Sequence, residues 1–387
     1  MLKKKFGSTG EELSYLGFGC MRLPQTDPKD AAKIDYDLGT AMVRKAIDRG
    51  VNYVDTAWPY HGDGGRKNPG ESEPFVAYAL RNGYREKVKL ATKLPSWVIE
   101  SRADMNRILD AQLKRLDTGH IDFYLVHNLN TADWPRLKHL KVREFMDEAL
   151  KDGRIKYAGF SFHDRYDLFE DIITSYDWAL AQIQYNYLDV NYQAGERGLK
   201  KAAERGVGVS VMEPLRGGFL TGHMPEEMAD YLHSIRPEWS LADWGLRWLW
   251  RQPEVGIVLS GMSEMAHVDA NLDIADTADQ PFTEKDLEAI AKVREFFQKR
   301  IKANCTSCGY CLPCPSGVNI PKNFIFLNDY HLSDADLIKT RSKYYFNAQM
   351  SSGESYVNCI HCRECEEKCP QHLPISDLMD DMAATFG

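Results

Sequence analysis

The stretch Gly39-Thr-Ala-Met-Val-Arg-Lys-Ala-Ile-Asp-Arg-Gly50-Val-Asn-Tyr-Val-Asp55 holds one complete passage from helix to strand. Its first eleven residues carry apolar side chains at the 3.6-residue period of an amphipathic helix. Gly50 stands where a helix closes through a left-handed residue, and Val51–Asp55 is a short apolar run of strand length. The passage recurs with Gly153 and Gly206 in the glycine position. Strand-like runs read as Tyr15–Cys20, Val51–Asp55, Val88–Thr92, Ile121–His127, Tyr157–Ser161, Ala179–Ile183, Val207–Met212 and Gly256–Leu259. Between them lie helix-like stretches at Gly39–Arg49, Ser72–Arg81, Arg102–Leu116, Lys141–Lys151, Asp167–Ser175, Gly195–Arg205, Ala242–Arg251 and Glu264–Ile274. Eight strand–helix units of this length suit a closed parallel (β/α)8 TIM barrel better than an open doubly wound sheet. Gly17-Phe18-Gly19-Cys20 lacks the third glycine of a dinucleotide fingerprint, which weakens the open-sheet reading further.

The chain has 387 residues, more than one such barrel needs. Pro281-Phe-Thr283 breaks the repeat, and a helix from Asp286 to about Arg300, with Asp286 in a capping-box position, leads into a different kind of sequence. The expected division is a barrel over residues 1–295 and a small second domain over 296–387. Lys3-Lys4-Lys5 reads as a solvated first strand or hairpin. No apolar core follows these lysines, as a secretory signal would require, and no run of 18 apolar residues exists, so neither export nor a membrane span is expected. The net charge of −8 and the lack of a basic, aromatic-interleaved patch argue against nucleic acid as a partner.

Of nine cysteines, only Cys20 precedes residue 300. Such clustering fits a reducing cytoplasm and a local metal-binding module rather than a disulfide scaffold. The runs are Cys305-Thr-Ser-Cys308-Gly-Tyr-Cys311-Leu-Pro-Cys314 and Cys359-Ile-His-Cys362-Arg-Glu-Cys365-Glu-Glu-Lys-Cys369-Pro370. The second has the C-x2-C-x2-C-x3-C-P spacing of the bacterial ferredoxins, in which three thiolates wrap one cluster and the fourth reaches the other. On that resemblance Cys305, Cys308, Cys311 and Cys369 hold one 4Fe-4S cluster, and Cys359, Cys362, Cys365 and Cys314 hold a second. The first run has two rather than three residues before Cys314, so the crossing of Cys314 rests on less than that of Cys369. Zinc is the competing occupant, but a doubled triple-cysteine run is a poor match to paired zinc knuckles. Helix-like pieces such as Lys322–Leu327 between the runs suggest a mainly α-helical ferredoxin-like domain.

Polar residues cluster where the barrel strands end. Strand two runs into Asp55-Thr-Ala-Trp-Pro-Tyr60, strand three carries Lys93, and strand four ends at His127. Barrel chemistry sits at that end of the strands, and ionisable groups are seldom buried unpaired. In order and placement, Asp55, Tyr60, Lys93 and His127 resemble the catalytic tetrad of the aldo-keto reductases. Leu16-Gly-Phe-Gly19, Gly70-Glu-Ser-Glu73 and Leu125-Val-His127 add to the resemblance, which covers roughly residues 1–280. The whole chain is similar to the branch of that family with a C-terminal two-cluster extension. The resemblance implies reduction of an aldehyde or ketone, or oxidation of the alcohol. Tyr60 would be the proton donor, Lys93 would draw the phenol toward the phenolate, Asp55 would hold Lys93, and His127 would orient the carbonyl. Trp58 and Trp97 follow the catalytic strands and would line the substrate pocket.

It also implies a nicotinamide dinucleotide across the barrel mouth, touched by Gly19, Met21, Asp55, Ser161, Gln182, Met212, Leu215, Gly217 and Asn271. Gln182 and Ser161 match the residues that hold the carboxamide, and Asn271 the adenine contact. Phe162 stands where the family usually has asparagine, and Met212 where it has a stacking aromatic. Gly261–Asn271 carries no lysine or arginine for a 2′-phosphate, which leaves NADP, NAD and a flavin all open as donors. Hydride carries two electrons and a cluster ordinarily one, so coupling them needs an adapter, for which a flavin in the barrel is the usual choice; otherwise the clusters would receive electrons from an external ferredoxin or flavodoxin. Two alternatives remain: clusters that only hold their domain together, and a barrel that serves as an electron-transfer docking scaffold without turnover.

Overall fold

The computed structural model describes residues 1–62, 68–305, 311–332, 336–350, 352–369 and 371–387. Its strands are β1 (Lys3–Lys5), β2 (Glu12–Ser14), β3 (Leu16–Gly19), β4 (Tyr53–Asp55), β5 (Lys89–Pro95), β6 (Ile121–Leu129), β7 (Ile155–Phe162), β8 (Leu180–Gln184), β9 (Gly208–Met212) and β10 (Val255–Ser260). The first helices are α1 (Tyr36–Asp48), α2 (Ser72–Ala79), α3 (Arg102–Arg115), α4 (Trp134–His139), α5 (Val142–Lys151), α6 (Tyr166–Thr174) and α7 (Gly195–Glu204). They are followed by α8 (Phe219–Gly222), α9 (Glu226–Ile235), α10 (Leu241–Trp250), α11 (Met265–Asp276), α12 (Glu284–Gln298), α13 (Ile320–His331), α14 (Asp336–Gln349), α15 (Glu364–Glu367) and α16 (Ile375–Phe386). The chain forms two compact units, one of Met1–Pro214 with Gly245–Pro281, the other of Leu215–Trp244 with Phe282–Gly387.

In the first unit β3 to β10 pair in parallel and close into a barrel, with β10 bonded to both β9 and β3. All eight strands read from the sequence are present. Gly50, Gly153 and Gly206 have φ of 100°, 81° and 69°, the left-handed geometry a glycine cap supplies. Ser101 and Asp104 cap α3 reciprocally.

The barrel is filled rather than hollow. Phe6, Tyr53, Phe123, Leu125, Leu180 and Ile257 pack together inside it. Phe6 comes from the tip of the antiparallel β1–β2 hairpin and meets Phe123 edge to face at 5.6 Å. A Cβ on Gly208 would lie 2.4 Å from the Phe6 ring, so the start of β9 must be glycine for the plug to seat. The register between β6 and β7 breaks between Val126 and Leu129. This bulge falls at His127 and Asn128, and Asn128 adopts φ 54°. Such bulges re-aim side chains beside active sites.

The second unit is helical. Thr283 and Asp286 form the capping box at the start of α12, and Asp286 also accepts two bonds from the Arg236 guanidinium, at 2.8 and 2.7 Å. Phe219 meets Phe297 at 5.6 Å. A second core gathers Val318, Ile320, Phe324, Leu327, Met379 and Met382, with Cys311 and Cys369 among its buried members. Asn323 ties α13 to the next run, donating to Glu354 O at 2.9 Å and accepting from Tyr356 N at 3.0 Å. Helix α14 covers Asp336–Gln349. That helix is fixed by tertiary packing, with Phe346 against Phe326, Tyr356 and Phe386. Among the described residues no helix is long and apolar enough to cross a membrane.

Candidate functional site

Strands β4, β5 and β6 deliver Asp55, Lys93 and His127 to the same end of the barrel. The Lys93 ammonium donates to Asp55 Oδ1 at 2.6 Å and to the Thr56 carbonyl at 2.8 Å. Its side chain is 1% exposed and that of Asp55 3%. Lys93 Nζ lies 5.1 Å from the centre of the Tyr60 ring. The Tyr60 and His127 rings are 6.1 Å apart, edge to face, and the Trp97 ring lies 5.1 Å from that of His127. The four residues expected to act together are therefore adjacent, with Trp97 beside them. Trp58 is instead 7% exposed, under the Arg115 guanidinium.

The electrostatics differ in one respect from the sequence expectation. Withdrawal from water pushes the Tyr60 phenol above its ordinary range, and the nearby Lys93 charge and hydrogen bond only partly pull it back. Burial works against the charge on Lys93, but the Asp55 carboxylate and the Tyr60 oxygen outweigh it and hold the ammonium firmly protonated. Burial raises Asp55, and Lys93 opposes that rise. The thiol of Cys20, fully buried, is pushed up by the same desolvation.

The loop bearing Tyr60 is held from below by residues whose roles the sequence did not reveal. Gly70 N–H donates to Trp58 O at 2.8 Å and Ser72 N–H to Tyr60 O at 3.2 Å. A Cβ on Gly70 would fall 2.0 Å from the Tyr60 carbonyl oxygen. Glu73, fully buried, accepts from Thr92 Oγ1 at 2.8 Å, Gln112 Nε2 at 2.7 Å and Arg115 Nε at 3.0 Å. Gln112 also donates to the Lys93 carbonyl at 3.0 Å, and Arg115 to the Gly70 carbonyl. The loop under the phenol and the strand carrying the ammonium thus share one anchor. Gly70-Glu-Ser-Glu73 was visible as a motif, but its link to Gln112 and Arg115 is tertiary and leaves no local signal.

Of the residues expected to touch a nicotinamide, most lie in the first unit and Leu215 and Gly217 in the second. Gln182, on β8, is 2% exposed, and its Oε1 has no hydrogen-bond partner among the described residues. Asp55 Oδ2 is buried in the same condition. Both are acceptors that a carboxamide or a sugar hydroxyl would satisfy, so the donor set fits such a cofactor. Ser161 Oγ accepts from Asn128 N–H at 2.7 Å and keeps its own proton to donate. Gly19 ends β3, Met21 is 55% exposed just after it, and Met212 is half-buried at the end of β9. Asn271 is buried and donates to Ser260 Oγ at 2.9 Å. Leu215 and Gly217 belong to the second unit, where Gly217 and Gly218 have φ of 64° and 90° and Arg216 pairs with Asp329 at 3.1 Å. Phe162 packs on Phe169 of α6 at 5.3 Å, so this side chain serves the barrel–helix interface.

In the second unit Cys311, Cys314, Cys359, Cys362 and Cys365 line a common cavity. Cys369 is buried and Cys305 partly buried in the adjoining core, while Cys308 and Pro370 lie outside the described residues. None of the described cysteines is in a disulfide. Converging thiols around a shared cavity form the donor set of an iron–sulfur cluster.

Comparison with known proteins finds two families along the chain. A profile of the Aldo/keto reductase family matches residues 15–295, and one described as a 4Fe-4S dicluster domain matches 304–373. The oxidoreductase YqkF of Bacillus subtilis is 25% identical over 319 residues, covering 75% of this chain and 95% of that protein. A probable aldo-keto reductase 1 from Glycine max is 28% identical over 229 residues, covering 56% of this chain and 60% of that one. The holo form of the aldo-keto reductase AKR11C1 from Bacillus halodurans superposes with a TM-score of 0.60 at 26% identity, covering 76% of this chain and 96% of its own.

Proposed function

Since the chain belongs to the aldo/keto reductase family, as an oxidoreductase with a 4Fe-4S ferredoxin-like domain, we propose that it reduces an aldehyde or ketone with Tyr60 as the proton donor. The observation carrying this is the buried Lys93–Asp55 pair at 2.6 Å beside the Tyr60 ring. A barrel used only as a docking scaffold has no reason to keep an ion pair so costly to desolvate.

The residues act as follows. His127, edge-on to Tyr60, orients the carbonyl oxygen of the substrate toward the phenol. As hydride reaches the carbonyl carbon, negative charge grows on that oxygen and the Tyr60 proton moves to it. The phenolate left behind is stabilised by the Lys93 ammonium, which Asp55 and the Thr56 carbonyl hold in place. Trp97 covers the His127 side of the site and helps exclude water. A nicotinamide dinucleotide, when bound, supplies or accepts the hydride, and Gln182, Ser161 and Asp55 carry the groups to hold it. Two 4Fe-4S clusters would supply one-electron transfer, one held by Cys305, Cys308, Cys311 and Cys369, the other by Cys314, Cys359, Cys362 and Cys365. The functional division we propose is residues 1–295 and 296–387.

Anaerobic purification followed by iron, sulfide, flavin and nicotinamide analysis, with NADH and NADPH oxidation against a panel of aldehydes, tests this reading. The expected outcome is aldehyde-dependent oxidation of one nicotinamide by an iron- and sulfide-containing protein. Bound flavin would identify the adapter between hydride and single electrons. Iron-loaded protein inert toward every carbonyl would favour the docking scaffold.

A further inference from the structure

Ser376 is the second residue of α16 and is 2% exposed. Its backbone N–H is occupied, donating to Glu366 Oε1 at 2.8 Å. Its hydroxyl oxygen is buried with no hydrogen-bond partner among the described residues. A buried hydroxyl without a partner is rare enough in folded proteins to require a reason. Ser376 lines the cavity that Cys311, Cys314, Cys359, Cys362 and Cys365 also line, flanked on the same helix face by Ile375 and Met379. Those two neighbours offer the hydroxyl no strong acceptor. The sulfur atoms brought to the cavity do.

We propose that the Ser376 hydroxyl donates a hydrogen bond to a sulfur of the cluster held by Cys314, Cys359, Cys362 and Cys365, and thereby makes that cluster easier to reduce. The inference rests on the two-cluster reading above. One-electron reduction adds one negative charge to the cluster, and a hydrogen bond to sulfur stabilises the more negative state more strongly. The N-terminal end of α16, twelve residues long, lies at the same cavity, and its partial positive charge acts in the same direction. Ser376 is therefore a positioning and tuning residue, not a ligand.

The test is an anaerobic redox titration of the full chain, monitored by electron paramagnetic resonance with dithionite as reductant. It compares the wild type with Ser376→Ala and with the isosteric pair Ser376→Thr and Ser376→Val. The expected result is two distinguishable potentials in the wild type. One of them moves to more negative values in the Ala and Val variants and is kept by Thr, while the other stays in place. Unchanged potentials in Ala and Val would overturn the hydrogen bond and leave the two-cluster reading intact. A wild type without two clusters would overturn both. If Ala and Val lose the cluster while Thr keeps it, the hydroxyl is a requirement for assembly and the tuning role is overturned.

Discussion

Lys93 Nζ and Asp55 Oδ1 are 2.6 Å apart where both side chains are almost wholly withdrawn from water. Removing one partner of such a pair leaves an uncompensated charge, which costs about 3–5 kcal/mol. Lys93→Met should therefore lower the unfolding free energy by about that amount and slow carbonyl reduction by about 10²–10⁴-fold. Adding Asp55→Asn should restore part of the stability and none of the activity. Denaturant unfolding and steady-state kinetics on the two variants separate these effects.

The raised pKa of Tyr60 has a definite sign in pH. Carbonyl reduction consumes the phenol proton, so it needs the protonated form and is lost as pH rises through the pKa. Alcohol oxidation needs the phenolate and gains over the same interval. Since burial holds Tyr60 above the ordinary tyrosine value, of about 10, reduction should persist across neutral and mildly alkaline pH while oxidation keeps climbing. Paired pH profiles of the two directions check this. A reduction rate that falls through neutrality would be incompatible with Tyr60 as the donor.

Gln182 Oε1 has no hydrogen-bond partner among the described residues. Gln182→Met, similar in shape, should leave thermal stability without nucleotide nearly unchanged. Nicotinamide dinucleotide affinity should fall about tenfold, the equivalent of one hydrogen bond. Calorimetric titration of both proteins gives the comparison, and equal affinities would remove Gln182 from the cofactor site.

Asp286 caps α12 and also receives the Arg236 fork while fully buried. Asp286→Ala should destabilise the second unit by about 2–4 kcal/mol, the sum of a cap and a charge-assisted pair. Burial alone would raise its carboxyl, but Arg236 and the Thr283 bonds outweigh this and lower it. Its contribution is thus present above the unfolded carboxylate pKa, about 3.9, and is lost as pH falls through the lower folded value. Acid titration of the second unit's circular dichroism should lose this component in the variant.

The eight barrel strands were legible because buried parallel strands are continuous apolar runs, and Gly50, Gly153 and Gly206 punctuate them. Asp55, Lys93 and His127 were legible because strand ends converge in a barrel. What the sequence left hidden depends on contacts between distant segments. The Glu73–Arg115 anchor joins residues 42 apart in sequence. The helix α14 is set by Phe346 packing across to α13 and α16. Leu215–Trp244 follows a barrel strand in sequence but is compact with the C-terminal helices. The lift in the Tyr60 pKa was missed because a motif shows the neighbouring ammonium but not the depth at which the phenol is buried.

Anaerobic comparison of the wild type with Tyr60→Phe measures the central claim most directly. With iron and sulfide content unchanged, the variant should lose carbonyl reduction by about 10²-fold or more while still binding nucleotide. Wild-type turnover in a phenylalanine variant with intact clusters would contradict the proton-donor assignment and the reductase mechanism built on it.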